Sequence, residues 1–78
     1  MNENSFIPKE KLHIVVCNNI KKYRLLRGLT QQELAEKIEM SHEYLRQLES
    51  EKGQKDFSFY TLYKISEVLN TPVGDFLK

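Results

Sequence analysis

The sequence predicts a single all-α domain built from five short helices. Apolar residues recur with a helical period along most of the chain, residue types that cap helices precede several of these segments, and no segment alternates as a strand would. The length of 78 residues leaves room for one domain, and a charged fraction of 29% is typical of a globular protein and not of a disordered tail.

The first helix is predicted over about residues 9–27, after an N-terminal arm of residues 1–8. Pro8 stands where a first helical turn tolerates proline, and Gly28 stands where a left-handed residue ends a helix. The apolar residues of this helix recur every three or four positions and share one face: Leu12, Val16, Ile20 and Tyr23.

The second and third helices are predicted from their N-terminal caps. Thr30 is followed three residues later by Glu33, the capping-box pattern, and Ser41 is the expected cap of the third helix. Ala35 is small enough for two helix axes to approach closely, so the pair predicts a helix-turn-helix. The third helix has three residues that are expected to face inward: Tyr44, Leu45 and Leu48.

The fourth helix is predicted to begin after Ser58 and to end at Asn70-Thr71-Pro72, and a last helical turn or two is predicted within VGDFLK. The stretch SEKGQKDF before the fourth helix has no apolar residue until Phe57 and is expected to be a solvated loop. The fourth helix has a stripe of apolar residues: Leu62, Ile65, Val68 and Leu69.

Charge is distributed unevenly along the chain, although the formal net charge is only +1. Residues 1–27 hold six Lys or Arg against two Glu, residues 28–51 hold two against six, and residues 52–78 hold four against three acidic residues. A strongly basic domain would indicate nucleic-acid binding by charge alone, and this chain does not. A nucleic-acid function must therefore depend on specific positions.

Nothing in the sequence indicates a membrane protein or an enzyme. No apolar run approaches the ~20 residues that span a bilayer, and the polar start lacks a signal-peptide pattern, so we expect a cytoplasmic protein. The lone Cys17 is expected to be a small apolar filler or a partly exposed thiol, and His13 to lie at the surface. His42 and Glu43 begin an HExxH-like pattern, but Arg46 stands where the second histidine is required. We expect no metal, no cofactor and no small-molecule ligand.

Residues 28–50, GLTQQELAEKIEMSHEYLRQLES, resemble the helix-turn-helix of the lambda-repressor and Cro-like group, the XRE family of bacterial and phage regulators. The resemblance continues from about Val16 to Leu77. It implies a five-helix lambda-repressor-like fold and a transcriptional regulator, bacterial or phage-encoded, that binds specific double-stranded DNA. Phage repressors, restriction-modification controllers and antitoxins remain alternatives within the family. The matching positions are Arg24, Gly28 to Gln31, Glu33 to Ala35, Ile38, Ser41, Leu45, Leu48 and Glu49.

The resemblance also implies that the third helix enters the DNA major groove and reads base edges. The base-reading positions are His42, Glu43 and Gln47, with Arg46 close enough to join them. Glutamine can pair with adenine, arginine with guanine, and glutamate can accept from the cytosine amino group.

Other positions match residues that hold the DNA backbone or the helices themselves. Arg24 and Glu49 match a salt bridge that ties the first helix to the end of the third. In the turn, Glu39 replaces the glycine of most family members, and a left-handed glutamate costs ~1 kcal/mol. The expected phosphate-positioning residues are Gln31, Ser50, Lys52, Gln54, Lys55 and the amide of Phe57.

One reading helix contacts only a few base pairs, so we expect a homodimer on a palindromic operator. The C-terminal region is more apolar than a free terminus needs, which favours an interface through Val73, Phe76 and Leu77, with contributions from Phe6 and Ile7. The alternative function belongs to another class. The excess of acidic residues over positions 28–51 is compatible with a protein-interaction module, antitoxin-like or an adaptor, that uses the same fold as a scaffold.

Overall fold

A computed structural model of the chain describes residues 6–50 and 55–78, and these residues form helices with no strand among them. The helices are α1 (Lys9–Leu26), α2 (Gln31–Lys37), α3 (His42–Glu49), α4 (Phe59–Val68) and a C-terminal 3-10 helix (Val73–Leu77). The all-α prediction is confirmed. The fifth element is a 3-10 helix of five residues and not an α-helical turn, in keeping with the short segments in which such helices occur. Residues 1–5 of the predicted arm lie outside the described residues.

Three predicted N-terminal caps are present. The Thr30 hydroxyl accepts the backbone N–H of Glu33 at 3.0 Å, and the Glu33 carboxylate accepts the N–H of Thr30 at 2.8 Å, which completes the capping box. The hydroxyls of Ser41 and Ser58 cap α3 and α4 in the same way, through single bonds of 3.0 Å. Local sequence therefore sets where these three helices begin.

The turn between α2 and α3 depends on a residue with left-handed backbone. Glu39 has φ 63°, as expected from its position in the turn. At the end of α1, Gly28 is left-handed in the same way, with φ 72°. The N–H of Met40 then donates to the carbonyl of Ala35 at 2.9 Å, which satisfies a carbonyl in the last turn of α2. The glutamate side chain is thus accommodated in a conformation that costs ~1 kcal/mol.

The core lies between the inner faces of the helices. α1 packs against the 3-10 helix and α3, and α2 packs against α3 and α4. Ala35 is 1% exposed at the α2–α3 contact, and Cys17 is buried, which favours the apolar filler over the partly exposed thiol. The buried apolar residues are Val16, Cys17, Ile20, Leu34, Ala35, Ile38, Leu45, Leu48, Leu62, Ile65, Leu69 and Phe76.

Two side chains are more buried than the sequence suggested. His13 is half-buried and its ring stacks on Phe57 with the ring centroids 5.5 Å apart, so its predicted surface position is wrong. Phe76 is 0% exposed and meets the ring of Tyr23 edge-on, while its carbonyl accepts the Asn19 amide at 2.9 Å. The predicted availability of Phe76 to a dimer partner is therefore wrong, because the 3-10 helix points this ring into the core.

Within the two described segments of the chain, none of the helices has both the length and the apolar character needed to cross a bilayer.

Candidate nucleic-acid interface

Helix α3 divides sharply into a buried face and an outward face. Leu45 and Leu48 are buried in the core, and Tyr44 is half-buried beside them. On the opposite side the structure brings together the four side chains that the sequence marked for base reading. His42, Glu43 and Arg46 are exposed and Gln47 is half-buried. The outward face of α3 is defined here as these four residues.

Three of the outward residues hydrogen-bond to one another. One carboxylate oxygen of Glu43 accepts from Nε of Arg46 at 3.0 Å. The other oxygen accepts from Nη2 of Arg46 and from the side-chain nitrogen of Gln47, the latter at 3.0 Å. Chiefly because of the hydrogen bond from Arg46, the pKa of the Glu43 carboxyl lies below its usual range. The carboxylate is therefore charged, and both of its oxygens accept hydrogen bonds from neighbouring side chains.

A second arginine–glutamate pair lies on the inner side of the same helix. Nε of Arg24 donates to Oε2 of Glu49 at 2.7 Å and Nη2 donates to Oε1 at 2.9 Å. The two side chains are only 6% and 2% exposed. The third guanidinium nitrogen donates to the carbonyl of Leu29 at 2.6 Å. This pair joins α1, the segment before α2 and the end of α3, which restricts the orientation of α3.

Gln31 connects the buried pair to the outward face. Its amide nitrogen donates to Oε1 of Glu49 at 3.0 Å, and its amide oxygen lies 3.4 Å from Nε2 of His42. The first residue of α2 is thus held between the end of α3 and its beginning. This contact places Gln31 at the border of the outward face, beside His42.

Three other predicted phosphate-positioning residues follow α3 and are among the described residues: Ser50, Lys55 and Phe57. Ser50 is exposed directly after α3, and Lys55 is exposed with its Nζ 5.4 Å from the centre of the Tyr44 ring. The Tyr44 hydroxyl donates to the carbonyl of Asp56 at 3.1 Å, and half-buried Phe57 follows. The segment around Lys55 is therefore attached to α3 through one tyrosine. The predicted residues Lys52 and Gln54 lie outside the described residues.

Two long side chains hold the C-terminal ends of α2 and α4 in ways that the sequence did not indicate. Nζ of Lys64, on α4, donates to the carbonyl of Ile38 at the end of α2 at 2.8 Å. Nε of Arg27 donates to the carbonyl of Leu69 at 2.6 Å and so satisfies the end of α4. Both bonds join residues far apart in the chain, and no local pattern marks a lysine or an arginine for such a role.

A family model described as Helix-turn-helix (HTH_3) matches residues 20–76, which include α2, α3 and α4. The chain belongs to this helix-turn-helix family. The match confirms the resemblance to XRE-type regulators. The family consists of DNA-binding transcription regulators and not of enzymes. No curated protein matches the chain at the significance required.

Several solved structures are similar to the chain. The clp gene regulator ClgR from Corynebacterium glutamicum is 32% identical over 85% of this chain and 68% of that one, with a TM-score of 0.76. SinR, a master regulator for biofilm formation solved in complex with DNA, is 35% identical over 81% of this chain and 98% of that one, with a TM-score of 0.72. NHTF from Neisseria, a hypothetical transcription factor, has a TM-score of 0.77 over 97% of this chain and 84% of that one, but its identity of 21% shows the fold alone.

Proposed function

We propose that the chain regulates transcription by binding specific sequences of double-stranded DNA through the outward face of α3. The observation that carries this proposal is the contrast between the two sides of α3. One side is buried and tied to α1 by the Arg24–Glu49 pair, and the other presents four side chains that can hydrogen-bond to base edges.

The size of the helix supports the same function. An α-helix with its side chains is ~10–12 Å across, which fits the ~12 Å width of the DNA major groove, and α3 has eight residues. The residues at its N-terminal end belong to the outward face, and this is the end that meets base edges in helix-turn-helix proteins. SinR, which is 35% identical to this chain, was solved in complex with DNA.

Positioning on the backbone is assigned to the residues around the outward face. Gln31 lies beside His42, and Ser50, Lys55 and the amide of Phe57 follow α3 in the chain. Lysine, amide and hydroxyl groups are common partners of phosphate oxygens, and such contacts set the register of a protein on DNA without reading its sequence. We assign Lys52 and Gln54 to the same role from the family resemblance.

The experiment that tests this function is selection of bound sequences from a random pool of duplex DNA, followed by titration with salt. A DNA-binding regulator should enrich a defined sequence, and its affinity should fall steeply as salt rises because counterions are released on binding. Enrichment of no sequence, together with binding that does not depend on salt, would reject the proposal. That result would favour the alternative in which the fold is a scaffold for protein contacts.

We also propose that the chain binds as a homodimer on a palindromic operator. The buried ring of Phe76 takes no part, so the interface would use Leu77, which is 44% exposed, with half-buried Val73. Phe6 and Ile7 are 88% and 52% exposed and offer further apolar surface.

Sedimentation at high micromolar concentration, with and without DNA, tests the dimer. Leu77→Glu should shift the chain towards the monomer, whereas Leu25→Glu, at an exposed leucine of α1, should not. A wild-type chain that stays monomeric even on palindromic DNA would contradict the dimer.

A further inference from the structure

The hydrogen bonds on the outward face assign different roles to its members. Glu43 has two carboxylate oxygens, and both accept bonds from side chains one helical turn further along α3. These three bonds occupy most of the roughly four acceptor positions of a carboxylate, which leaves one for a cytosine amino group. The donors, in contrast, keep hydrogen-bonding groups that point away from Glu43. The acid therefore fits a supporting role better than a reading role.

The guanidinium of Arg46 is held along one edge. Glu43 takes the Nε–H and one N–H of Nη2, and no described residue accepts a bond from Nη1. Of the five N–H groups of an arginine, this leaves the end that carries one N–H from each terminal nitrogen. Two parallel N–H groups of this kind match the O6 and N7 acceptors of guanine. A side chain fixed in this way presents a guanine-reading fork before any DNA arrives.

The amide of Gln47 is oriented by the same carboxylate. An ionised carboxylate only accepts hydrogen bonds, so the nitrogen of the Gln47 amide must face Glu43 at 3.0 Å and the oxygen must face elsewhere. The oxygen and the second N–H of the amide remain for a base edge. This donor and acceptor pair matches N6 and N7 of adenine.

The charge of Glu43 also affects how Arg46 treats phosphates. The two side chains are 58% and 59% exposed, and together they carry no net charge. An unpaired arginine beside the DNA groove would contribute binding free energy through any nearby phosphate, whatever the base sequence. Pairing with Glu43 removes most of this sequence-independent attraction to phosphate. The contact with guanine, which depends on the geometry of two N–H groups, then contributes a larger share of the binding free energy of Arg46.

We propose that Glu43 is a positioning residue that sets sequence specificity by aiming Arg46 at a guanine and Gln47 at a neighbouring base, without itself reading a base. This inference rests on the proposed function. It replaces the base-reading role that the family resemblance implies for Glu43. It also explains how an acidic residue can lie on a surface that approaches phosphates, because its charge is already offset by Arg46.

The test compares Glu43→Gln and Arg46→Ala in selections from random duplex DNA. Both variants should lose the preference for the same guanine, and the ratio of specific to non-specific affinity should fall by roughly tenfold in each. Only Glu43→Gln should bind scrambled DNA more tightly than wild type, with a salt slope steeper by about one unit, because it frees an arginine for phosphate. Glu67→Gln is the matched control: it makes the same change in charge at an exposed position of α4 and should leave the base preferences unchanged.

A measurement without DNA tests the geometry itself. The Nε–H proton of Arg46 should exchange with water more slowly in the wild type than in Glu43→Gln, while the melting temperatures of both chains remain similar. Three results would overturn the assignment: equal exchange, a Glu43→Gln profile that changes at a different base pair from Arg46→Ala, or a profile that does not change. A wild-type chain that selects no sequence would reject the proposed function and this assignment together.

Discussion

Helix α3 takes part in two arginine–glutamate pairs that have the same hydrogen-bond pattern, one buried and one exposed. In each pair the Nε and Nη2 groups of the arginine meet the two oxygens of the glutamate. The side chains of Arg24 and Glu49 are 6% and 2% exposed, whereas those of Arg46 and Glu43 are 59% and 58% exposed. The difference between the pairs therefore comes from their environment and not from their chemistry.

Burial determines what each pair can do. In the core, a charge that loses its partner cannot be solvated by water, so Arg24 and Glu49 hold each other and fix the orientation of α3. On the surface, water competes for both charges and the pair contributes little to stability. Arg46 and Glu43 therefore orient each other without holding the fold together. The buried pair fixes the orientation of α3, and the exposed pair forms part of the outward face.

The largest expected effect comes from breaking the buried pair. Glu49→Ala leaves Arg24 buried without its carboxylate and should lower the free energy of unfolding by about 3 kcal/mol or more. For a domain of this size, the melting temperature should fall by about 12 °C or more. Thermal denaturation followed by circular dichroism measures this change. Glu43→Ala is the matched control on the same helix and should melt close to wild type; equal losses in the two variants would contradict the comparison.

A second effect concerns Cys17 on the buried side. Burial, and to a lesser degree the charge of Glu49, raise the pKa of the Cys17 thiol from 9.0 to about 11. Between these values the unfolded chain releases a proton that the folded chain keeps, so this contribution to stability is intact below pH 9 and is lost as pH rises to 11. The loss should reach roughly 2 kcal/mol.

Urea denaturation at several pH values measures the effect of the thiol. Cys17→Ala, which has no thiol to titrate, should lose less stability than wild type over this pH range, even if the variant is less stable throughout. If the free energy of unfolding fell by the same amount in both chains between pH 9 and 11, the prediction would be contradicted.

A third effect separates two positions in and beside the outward face. Gln47→Ala should cost roughly 1–3 kcal/mol on the preferred DNA site and little on scrambled DNA, because a base contact carries sequence information. Lys55→Ala should weaken binding to both DNAs by a similar factor and reduce the salt slope by about one unit, because a phosphate contact carries no sequence information. Salt titrations on both duplexes measure this. A Lys55→Ala variant with an altered preferred sequence would show that these roles are assigned wrongly.

The smallest effect is the titration of the exposed pair. The hydrogen bond from Arg46 lowers the pKa of the Glu43 carboxyl, so the pair should stay intact near neutral pH and be lost only as pH falls through that lowered pKa. Arg46→Ala should return the pKa towards the usual range of a glutamate. NMR titration of the side-chain carboxyl carbon measures both values, and identical pKa values in the two chains would show that the pair does not form in solution.

Much of the helical framework is readable from local sequence. The capping box of Thr30 and Glu33 and the caps at Ser41 and Ser58 were predicted because each depends on residues within one helical turn. Glu39 was predicted as the turn residue from the family resemblance, and it adopts the left-handed conformation. The family itself was identified from an ordered set of residues across two helices and confirmed by the match over residues 20–76.

The sequence by itself determined the all-α fold class, the helix starts and the four residues of the outward face, because helical period and caps act over a few positions. Only the tertiary structure decided that Phe76 faces the core and that His13 stacks on Phe57. Only the tertiary structure shows that both oxygens of Glu43 accept hydrogen bonds from Arg46 and Gln47, because the sequence alone does not specify which neighbours a side chain will contact. Burial and pairing depend on which side chains meet in space, and that is decided when the helices pack and each rotamer settles among its neighbours.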